Sequence, residues 1–264
     1  MSGTKPTKNV DSNLTRYEND EVVSSYAKAA GLHSSELFLF NRFLRSGMSI
    51  LDMGVGGGRT TSFLSEIASK YVGADYSLDM VKASKHRFPE LDFRHCDATK
   101  MGEFFDEEFD AFIFSFNGID YIRTDEERAV CLSEIQRVLK PGGIFIFSSH
   151  NARVLGHLPS LIGAKIYKIP FKIIRAFIKS IKLTIKRLTS RPFYLGEGYV
   201  FDRAHGGLVT YVSTPETLML QLSNAGFEVL EIVGNEFPAT RNEFLTSFYY
   251  YACKRKCDFD LPLD

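Results

Sequence analysis

The chain has 264 residues, 44% hydrophobic and 13% aromatic, which suits one large domain with a buried core and excludes a wholly disordered chain. Its 32 Lys and Arg residues balance 32 Asp and Glu residues, so the chain as a whole has no attraction for polyanions. Four cysteines are too few for a disulfide-stabilised scaffold, and the Cys253–Cys257 spacing lacks the second ligand pair of a structural zinc site. We expect no metal.

The first segment, residues 1–14, is polar, and we predict that it is disordered. It lacks the apolar core of a signal peptide, and the chain contains no run of about 18–20 apolar residues that could span a membrane. We therefore expect a cytoplasmic protein. Two helices are predicted next, over 17–30 and 34–45, with Ser34 or Ser35 as the N-cap of the second.

From residue 48 onward, short apolar runs alternate with segments of helical periodicity. Strands are predicted at 48–53, 71–75, 91–96, 109–116, 143–149, 227–233 and 244–254. Helices are predicted at 59–69, 78–87, 124–139 and 215–225. Continuous apolar strands separated by helices favour a sheet that is covered on both faces. The pattern predicts a Rossmann-like, doubly wound α/β fold of seven strands, mostly parallel with an antiparallel last strand, and a helical insertion after the fifth strand.

A glycine-rich loop follows the first predicted strand, in the segment ILDMGVGGGRTT over residues 50–61. Glycine tolerates positive φ and has no Cβ, so a ligand can lie against the backbone there. The N–H groups that begin the following helix would face the same ligand. Such a strand, loop and helix indicate a nucleotide-like cofactor.

Two more carboxylates follow neighbouring strands. Asp75 ends the second strand in YVGADYSLDMV, and Asp97 follows the third in LDFRHCDATKM. Ligands of open α/β sheets bind at the carboxyl ends of the strands, where a carboxylate can accept two hydrogen bonds from a ribose diol. The G-x-G-x-G spacing differs from the dinucleotide fingerprint, which needs its third small residue where Arg59 stands.

In this order the motifs resemble those of class I S-adenosylmethionine-dependent methyltransferases, over roughly residues 15–150 and 210–252. LKPGGIFIFSSHN at 139–151 has the turn and fifth strand typical of that family. The resemblance implies S-adenosylmethionine as cofactor, with Asp52 towards the methionine amino group and Asp97 and Ala98 towards adenine. The cofactor-binding residues implied in this way are Asp52, Gly54, Gly56, Gly58, Asp75, Tyr76, Met80, Asp97, Ala98, Phe114 and Ser115.

Methyl transfer is an in-line displacement, so the protein mainly aligns the acceptor with the donor. A hydroxyl acceptor also needs a general base, and the candidates are His150, His205 and Asp120, the last of which could instead orient a histidine. Acceptor contacts are predicted for Asn117, Tyr121 and Asn151. We expect a hydroxyl of a small molecule or glycan to be methylated. The alternatives are an RNA methyltransferase, or a non-catalytic cofactor-binding protein at the membrane periphery.

One negative observation bears on nucleic acids. The fourth strand ends in SFNGIDY rather than the Asn/Asp-Pro-Pro-aromatic pattern of enzymes that methylate amino groups of nucleic acids, which disfavours a flipped base as acceptor.

The insertion, predicted over 151–209, is strongly basic. Residues 151–196 contain ten Lys and Arg residues and no Asp or Glu, which leaves 22 basic and 32 acidic residues in the rest of the chain. Basic residues recur at helical spacing beside an apolar face, as expected for an amphipathic helix; the basic set is Lys172, Arg175, Lys179, Lys182 and Lys186, and the apolar set is Ile174, Phe177, Ile178, Ile181, Ile185 and Leu188. Three interpretations stay open: a lid or substrate region packed on a cofactor-binding domain (15–150 and 210–264), an anionic membrane surface bound through 165–191, and, with less support, nucleic acid.

Overall fold

The computed structural model describes residues 31–156, 169–202, 208–239 and 242–257, and the single helical positions Val22 and Tyr26. The segment predicted to be disordered, 1–14, and most of the helix predicted over 17–30 lie outside the described residues.

A seven-stranded sheet forms the centre. Its strands are β1 (Met48–Met53), β2 (Ala68–Asp75), β3 (Asp92–His95), β4 (Phe109–Phe114), β5 (Leu139–His150), β8 (Phe227–Gly234) and β9 (Phe248–Arg255). They lie in the order β3-β2-β1-β4-β5-β9-β8, in which β9 is antiparallel to both β5 and β8, whereas β1 to β5 pair in parallel. The helices that flank it are α1 (Ser34–Phe43), α2 (Thr61–Ile67), α3 (Leu78–Arg87), α4 (Asp125–Val138) and α7 (Pro215–Asn224). The predicted Rossmann-like fold with an antiparallel last strand is confirmed.

Apolar side chains fill both faces of this sheet because its central strands are buried on each side. One layer contains Phe145, whose ring stacks on Phe147 at 4.4 Å between centroids, and Phe147 in turn lies 5.1 Å from Tyr251. The opposite layer is built around Ile50 and Phe40. The rigid sheet therefore holds the carboxyl ends of β1, β2, β4 and β5 at one edge.

Several predicted boundaries shift. β5 begins at Leu139 and includes the whole LKPGG turn, and β9 begins only at Phe248, after a 3₁₀ turn over Glu243–Leu245. The N-cap of α1 is His33, not Ser34 or Ser35: its backbone N–H donates to the Glu36 carboxylate at 2.8 Å.

The insertion is less helical than predicted. It contains α5 (Ile169–Leu188) and α6 (Arg191–Leu195), but β6 (Glu197–Asp202) pairs with β7 (Leu208–Ser213) as an antiparallel ribbon. The predicted domain boundary at residue 210 therefore falls inside a strand. Asn151 bridges to Ser213, which ties this ribbon to the end of β5. Among the described residues, no helix has both the length and the apolar character needed to cross a membrane.

Candidate active site

The glycine loop connects β1 to α2 in a conformation that side chains rarely adopt. Gly54, Gly56 and Gly58 have φ of +65°, +55° and +77°. A Cβ added at Gly54 would lie 2.8 Å from the Phe114 ring, and one at Gly58 would lie 2.7 Å from the Phe88 ring. Glycine is thus required both by backbone conformation and by close packing against β4 and the residue that follows α3.

Asp75, at the end of β2, holds the loop in place from the neighbouring strand. Its Oδ2 accepts from the Gly56 N–H and its Oδ1 from the Ser77 N–H, each at 2.9 Å. Burial raises the pKa of this carboxyl to about 6, against the opposing effect of the two backbone donors. The carboxylate also lines a cavity, so it is available to a ligand that enters from the sheet edge.

This cavity, of about 230 Å³, opens along the carboxyl ends of β1, β2 and β4. It is lined by the predicted cofactor residues Gly54, Gly56, Asp75, Tyr76, Met80, Asp97, Ala98, Phe114 and Ser115. The predicted acceptor contact Tyr121 lines it as well. Other residues that line the cavity were not predictable from the sequence because they carry no recognisable motif, among them Tyr26, Thr99, Ile122, Arg123 and Glu127.

The cavity combines apolar walls with a polar group. Met80 and Ala98 are 1% and 8% exposed and form apolar walls, while Asp97 is exposed beside them. Asp97 Oδ1 accepts from the Thr99 N–H and hydroxyl, each at 2.9 Å, which orients the carboxyl group. A flat apolar ring with a polar edge would fit between these groups.

A second cavity, of about 340 Å³, is also lined by the glycine loop. It shares Gly54, Gly56 and Phe116 with the first cavity, and His33 and Arg59 supply cationic or polar groups. Arg59 forms a bidentate ion pair with buried Glu36, at 2.6 Å for both nitrogens, which fixes α1 against the loop. A role for His33 was not predictable from the sequence, since its contact with the loop region depends on the tertiary fold.

Asp52 and Gly58 lie apart from the first cavity. Asp52 Oδ2 accepts from the Thr60 hydroxyl at 2.6 Å and the Tyr71 hydroxyl at 2.9 Å, and the side chain is almost fully buried. Burial raises the pKa of this carboxyl to about 6. The Asp52 carboxylate bonds to these two hydroxyls and does not line the first cavity. Its predicted direct contact with the cofactor therefore finds no support here.

The raised pKa of Asp52 has a measurable consequence for stability. Folding lifts this pKa from 3.8 to about 6, so its stabilising contribution is complete below pH 3.8 and is lost as the pH rises through 6. From about pH 5 to about pH 8, we expect the unfolding free energy of the cofactor-free wild type to fall by on the order of 1 kcal/mol more than that of Asp52→Asn. Urea unfolding at both pH values measures this. Exposed Asp79→Asn is the control, and equal losses in wild type and Asp52→Asn would refute the assignment.

A histidine–carboxylate pair joins β5 to the turn after β4. His150 Nδ1 lies 2.8 Å from Asp120 Oδ2, which also accepts from the His150 backbone N–H at 2.7 Å. Asp120 is fully buried, and its Oδ1 accepts from the Ser149 hydroxyl at 2.8 Å, with Arg128 3.8 Å away. An ionised Asp120 selects the tautomer with the proton on Nδ1, which leaves Nε2 of His150 as an acceptor. Of the two roles predicted for Asp120, the geometry matches that of orienting a histidine.

The backbone next to this pair is strained. Phe116 and Asn117 have consecutive positive φ values of +56° and +62°, rare for residues other than glycine. The Asn117 N–H donates to the Ser148 hydroxyl at 2.7 Å, and its Nδ2 lies 3.4 Å from His150 Nε2. Strain of this kind persists where surrounding contacts enforce it, and it is concentrated at functional sites.

The remaining predicted residues differ in their placement. The Tyr121 ring lies edge-on to the His150 ring, 6.3 Å between centroids, and also lines the first cavity. It therefore connects the histidine–carboxylate pair to that cavity. Asn151 is fully buried, and its amide donates to the backbone oxygens of Glu243 and Thr246 at 2.6 and 2.9 Å. Its predicted contact with the acceptor therefore finds no support here, because both amide N–H groups donate to the chain itself. His205 lies outside the described residues.

Comparison with known proteins identifies the fold and the domain. Residues 51–147, which include the glycine loop, Asp75, Asp97 and the Asp120 turn, match the family model described as a methyltransferase domain. The chain contains a class I S-adenosylmethionine-dependent methyltransferase domain. The predictions of this family, of an enzyme and of S-adenosylmethionine as cofactor are confirmed.

Similar proteins agree with this domain over different lengths. A demethylmenaquinone methyltransferase from Paenarthrobacter aurescens is 33% identical over 112 residues, 42% of each chain. The match thus spans less than half of that relative. An S-adenosylmethionine-dependent methyltransferase from Mesorhizobium loti has the same fold, with a TM-score of 0.59, 22% identity, and coverage of 84% of this chain and 98% of that one.

The structure of 1,6-didemethyltoxoflavin-N1-methyltransferase from Burkholderia thailandensis, with S-adenosylhomocysteine, is similar over 97% of this chain and 94% of that one. Its TM-score is 0.59 and its identity 13%. The fold is therefore shared with an enzyme that is named after a small-molecule acceptor.

Proposed function

We propose that this methyltransferase transfers a methyl group from S-adenosylmethionine to a small-molecule hydroxyl that His150 deprotonates. The observation that carries the proposal is the Asp120–His150 pair, 2.8 Å apart, at the sheet edge that also forms the first cavity. The His150 side chain remains 26% exposed, so an acceptor can reach it.

The residues present fit the cofactor. In our proposal the ribose diol donates to Asp75, while adenine lies between Met80 and Ala98 with its amino group towards Asp97. The bare backbone at Gly54 and Gly56 lets the methionine part pass towards the second cavity, where Arg59 and His33 lie. A Cβ at Gly54 would meet the Phe114 ring, which together with the positive φ is the reason that the loop needs glycine there.

The chain's own residues supply alignment and a proton acceptor. Bound S-adenosylmethionine supplies an electrophilic methyl group on a sulfonium, a good leaving group. His150 Nε2 takes the acceptor's hydroxyl proton while Asp120 holds Nδ1–H and stabilises the imidazolium that forms. The methyl group would pass to the acceptor oxygen, and the cofactor would depart as a neutral thioether. Asn117 Nδ2, at 3.4 Å, is a weak partner of Nε2 that the hydroxyl would replace.

An aromatic hydroxyl fits the region around His150 best. Phe116 is 42% exposed, and the rings of Tyr121 and Phe248 each lie 6.3 Å from that of His150. Flat aromatic surfaces favour a ring as acceptor over a sugar. Deprotonating a phenol or quinol also places negative charge on ring carbons, and the relatives' name, demethylmenaquinone methyltransferase, is compatible with such an acceptor. A glycan hydroxyl is the second candidate acceptor, and we propose that the reaction takes place in the cytoplasm.

The test is a transfer assay with methyl-labelled cofactor against quinols, catechols, sugar nucleotides and RNA. We expect label in an aromatic acceptor, with mass spectrometry locating it on the hydroxyl oxygen. Label only in glycan or RNA would refute the aromatic acceptor. Cofactor binding without transfer to any class would favour the non-catalytic alternative.

A further inference from the structure

The basic helix α5 contacts the domain through the side opposite to the one that its sequence pattern predicts. Its half-buried residues are Ile169, Ala176, Ser180, Leu183, Thr184 and Arg187, which share one side at about 100° per residue. Thr184 donates to the Leu155 carbonyl at 2.8 Å, and Ser180 lies close to Gly156. The interpretation of α5 as a lid with its apolar face packed on the domain is therefore wrong.

The opposite side of α5 presents an exposed row of large apolar residues, called the apolar stripe here. Its members are Phe171, Ile174, Ile178, Ile181, Ile185 and Leu188. Phe171 is 77% exposed, Ile174 57% and Ile185 60%. None of the helix's twenty residues is fully buried. Exposed apolar surface of this extent marks an interaction site.

A basic row lies beside the apolar stripe. Arg175, Lys179 and Lys182 are exposed and fall between the stripe and the side that contacts the domain. The surrounding segment 151–196 has ten basic residues and no acidic one, whereas the rest of the chain has an excess of ten acidic residues. Positive charge is thus concentrated on the part of the surface that also exposes apolar side chains.

We propose that α5 binds the protein to an anionic phospholipid bilayer. The apolar stripe enters the boundary between headgroups and acyl chains, and the basic row contacts the lipid phosphates. Long Lys and Arg side chains can extend their charges to the headgroups beside a buried apolar stripe. The acidic remainder of the chain is repelled by the same surface, which leaves α5 as the part that faces the membrane.

Two other partners fit less well. A second copy would bring two basic segments together without acidic residues between them. RNA would pair with the basic row but leave the aliphatic stripe in water, and aliphatic side chains offer no stacking surface for bases. The proposal rests on α5 and not on the proposed methyl transfer.

Vesicle co-sedimentation of the full chain tests the proposal. We expect binding to phosphatidylcholine vesicles that contain phosphatidylglycerol, weakened by salt, and little binding to phosphatidylcholine alone. Lys179→Gln/Lys182→Gln should weaken binding about thirty-fold, since each basic residue near the surface contributes about a five-fold factor. Ile174→Ser/Ile185→Ser should weaken it at least about tenfold, through loss of buried apolar area.

Exposed residues on other helices provide matched controls. Lys85→Gln on α3 and Leu220→Ser on α7, where Leu220 is 63% exposed, should bind vesicles like the wild type. All these positions are exposed, so thermal unfolding should be unchanged, and transfer to a water-soluble acceptor should persist in both α5 variants. No binding to anionic vesicles at low salt would overturn the proposal. So would a self-association that Ile174→Ser/Ile185→Ser abolishes in the absence of lipid, or RNA binding stronger than vesicle binding.

Discussion

The His150→Gln variant is expected to show a kcat lower by a factor of about 10²–10⁴, because glutamine cannot accept the hydroxyl proton. The dissociation constant of S-adenosylhomocysteine should stay unchanged, since His150 lies outside the residues that line the cofactor cavity. Single-turnover transfer, together with calorimetric binding, separates these two effects. The variant should fold normally, because the histidine side chain is 26% exposed.

Asp120→Asn tests how His150 is held. The Asp120 carboxylate accepts from the Ser149 hydroxyl, the His150 N–H and His150 Nδ1, all within 2.8 Å. An amide in its place favours the wrong histidine tautomer, so kcat should fall while cofactor binding persists.

His86→Gln, at an exposed helical position, is the matched control for His150→Gln. Full activity in His150→Gln would eliminate this histidine as the base.

Asp75→Ala should weaken the binding of S-adenosylmethionine at least about tenfold, since charge-assisted hydrogen bonds to the ribose are lost. The substitution also removes the acceptor of the Gly56 N–H, so the loop loses a contact that fixes its shape. Asp75→Asn keeps one acceptor oxygen and should have an intermediate affinity. Titration calorimetry with S-adenosylhomocysteine measures all three proteins.

Asp79→Ala controls for a general loss of negative charge. Asp79 lies four residues further along, on the exposed surface of α3, where it pairs with Lys82 at 2.8 Å. Its variant should bind the cofactor like the wild type. If Asp75→Ala bound as tightly as Asp79→Ala, the ribose would have to lie elsewhere.

The sheet was predictable because its strands are buried on both faces and so form continuous apolar runs. The predicted bounds of the first strand, 48–53, match β1, and those of the helix at 78–87 match α3. The cavity residues on β2, β3 and β4 were also predictable, since a parallel sheet brings its carboxyl ends to one edge. Local pattern and topology together are enough for these features.

Side-chain direction was not predictable in the same way. Asp52 and Asn151 both lie at strand ends, yet their polar atoms bond to neighbouring groups of the chain, Tyr71 and Thr246 among them. The bond between Asp120 and His150 spans thirty positions, and it forms because β4 and β5 are neighbours in the sheet. The side of α5 that contacts the domain escaped prediction because an amphipathic pattern shows which face is apolar, not which partner covers it.

A crystal structure of this protein with S-adenosylhomocysteine tests the central claim most directly. We expect both ribose hydroxyls within about 2.6–3.2 Å of the Asp75 carboxylate, adenine between Met80 and Ala98, and the sulfur directed towards the Ser115–Gly118 turn beside His150. Ligand density away from the glycine loop, or a ribose that leaves Asp75 untouched, would contradict this account of the site.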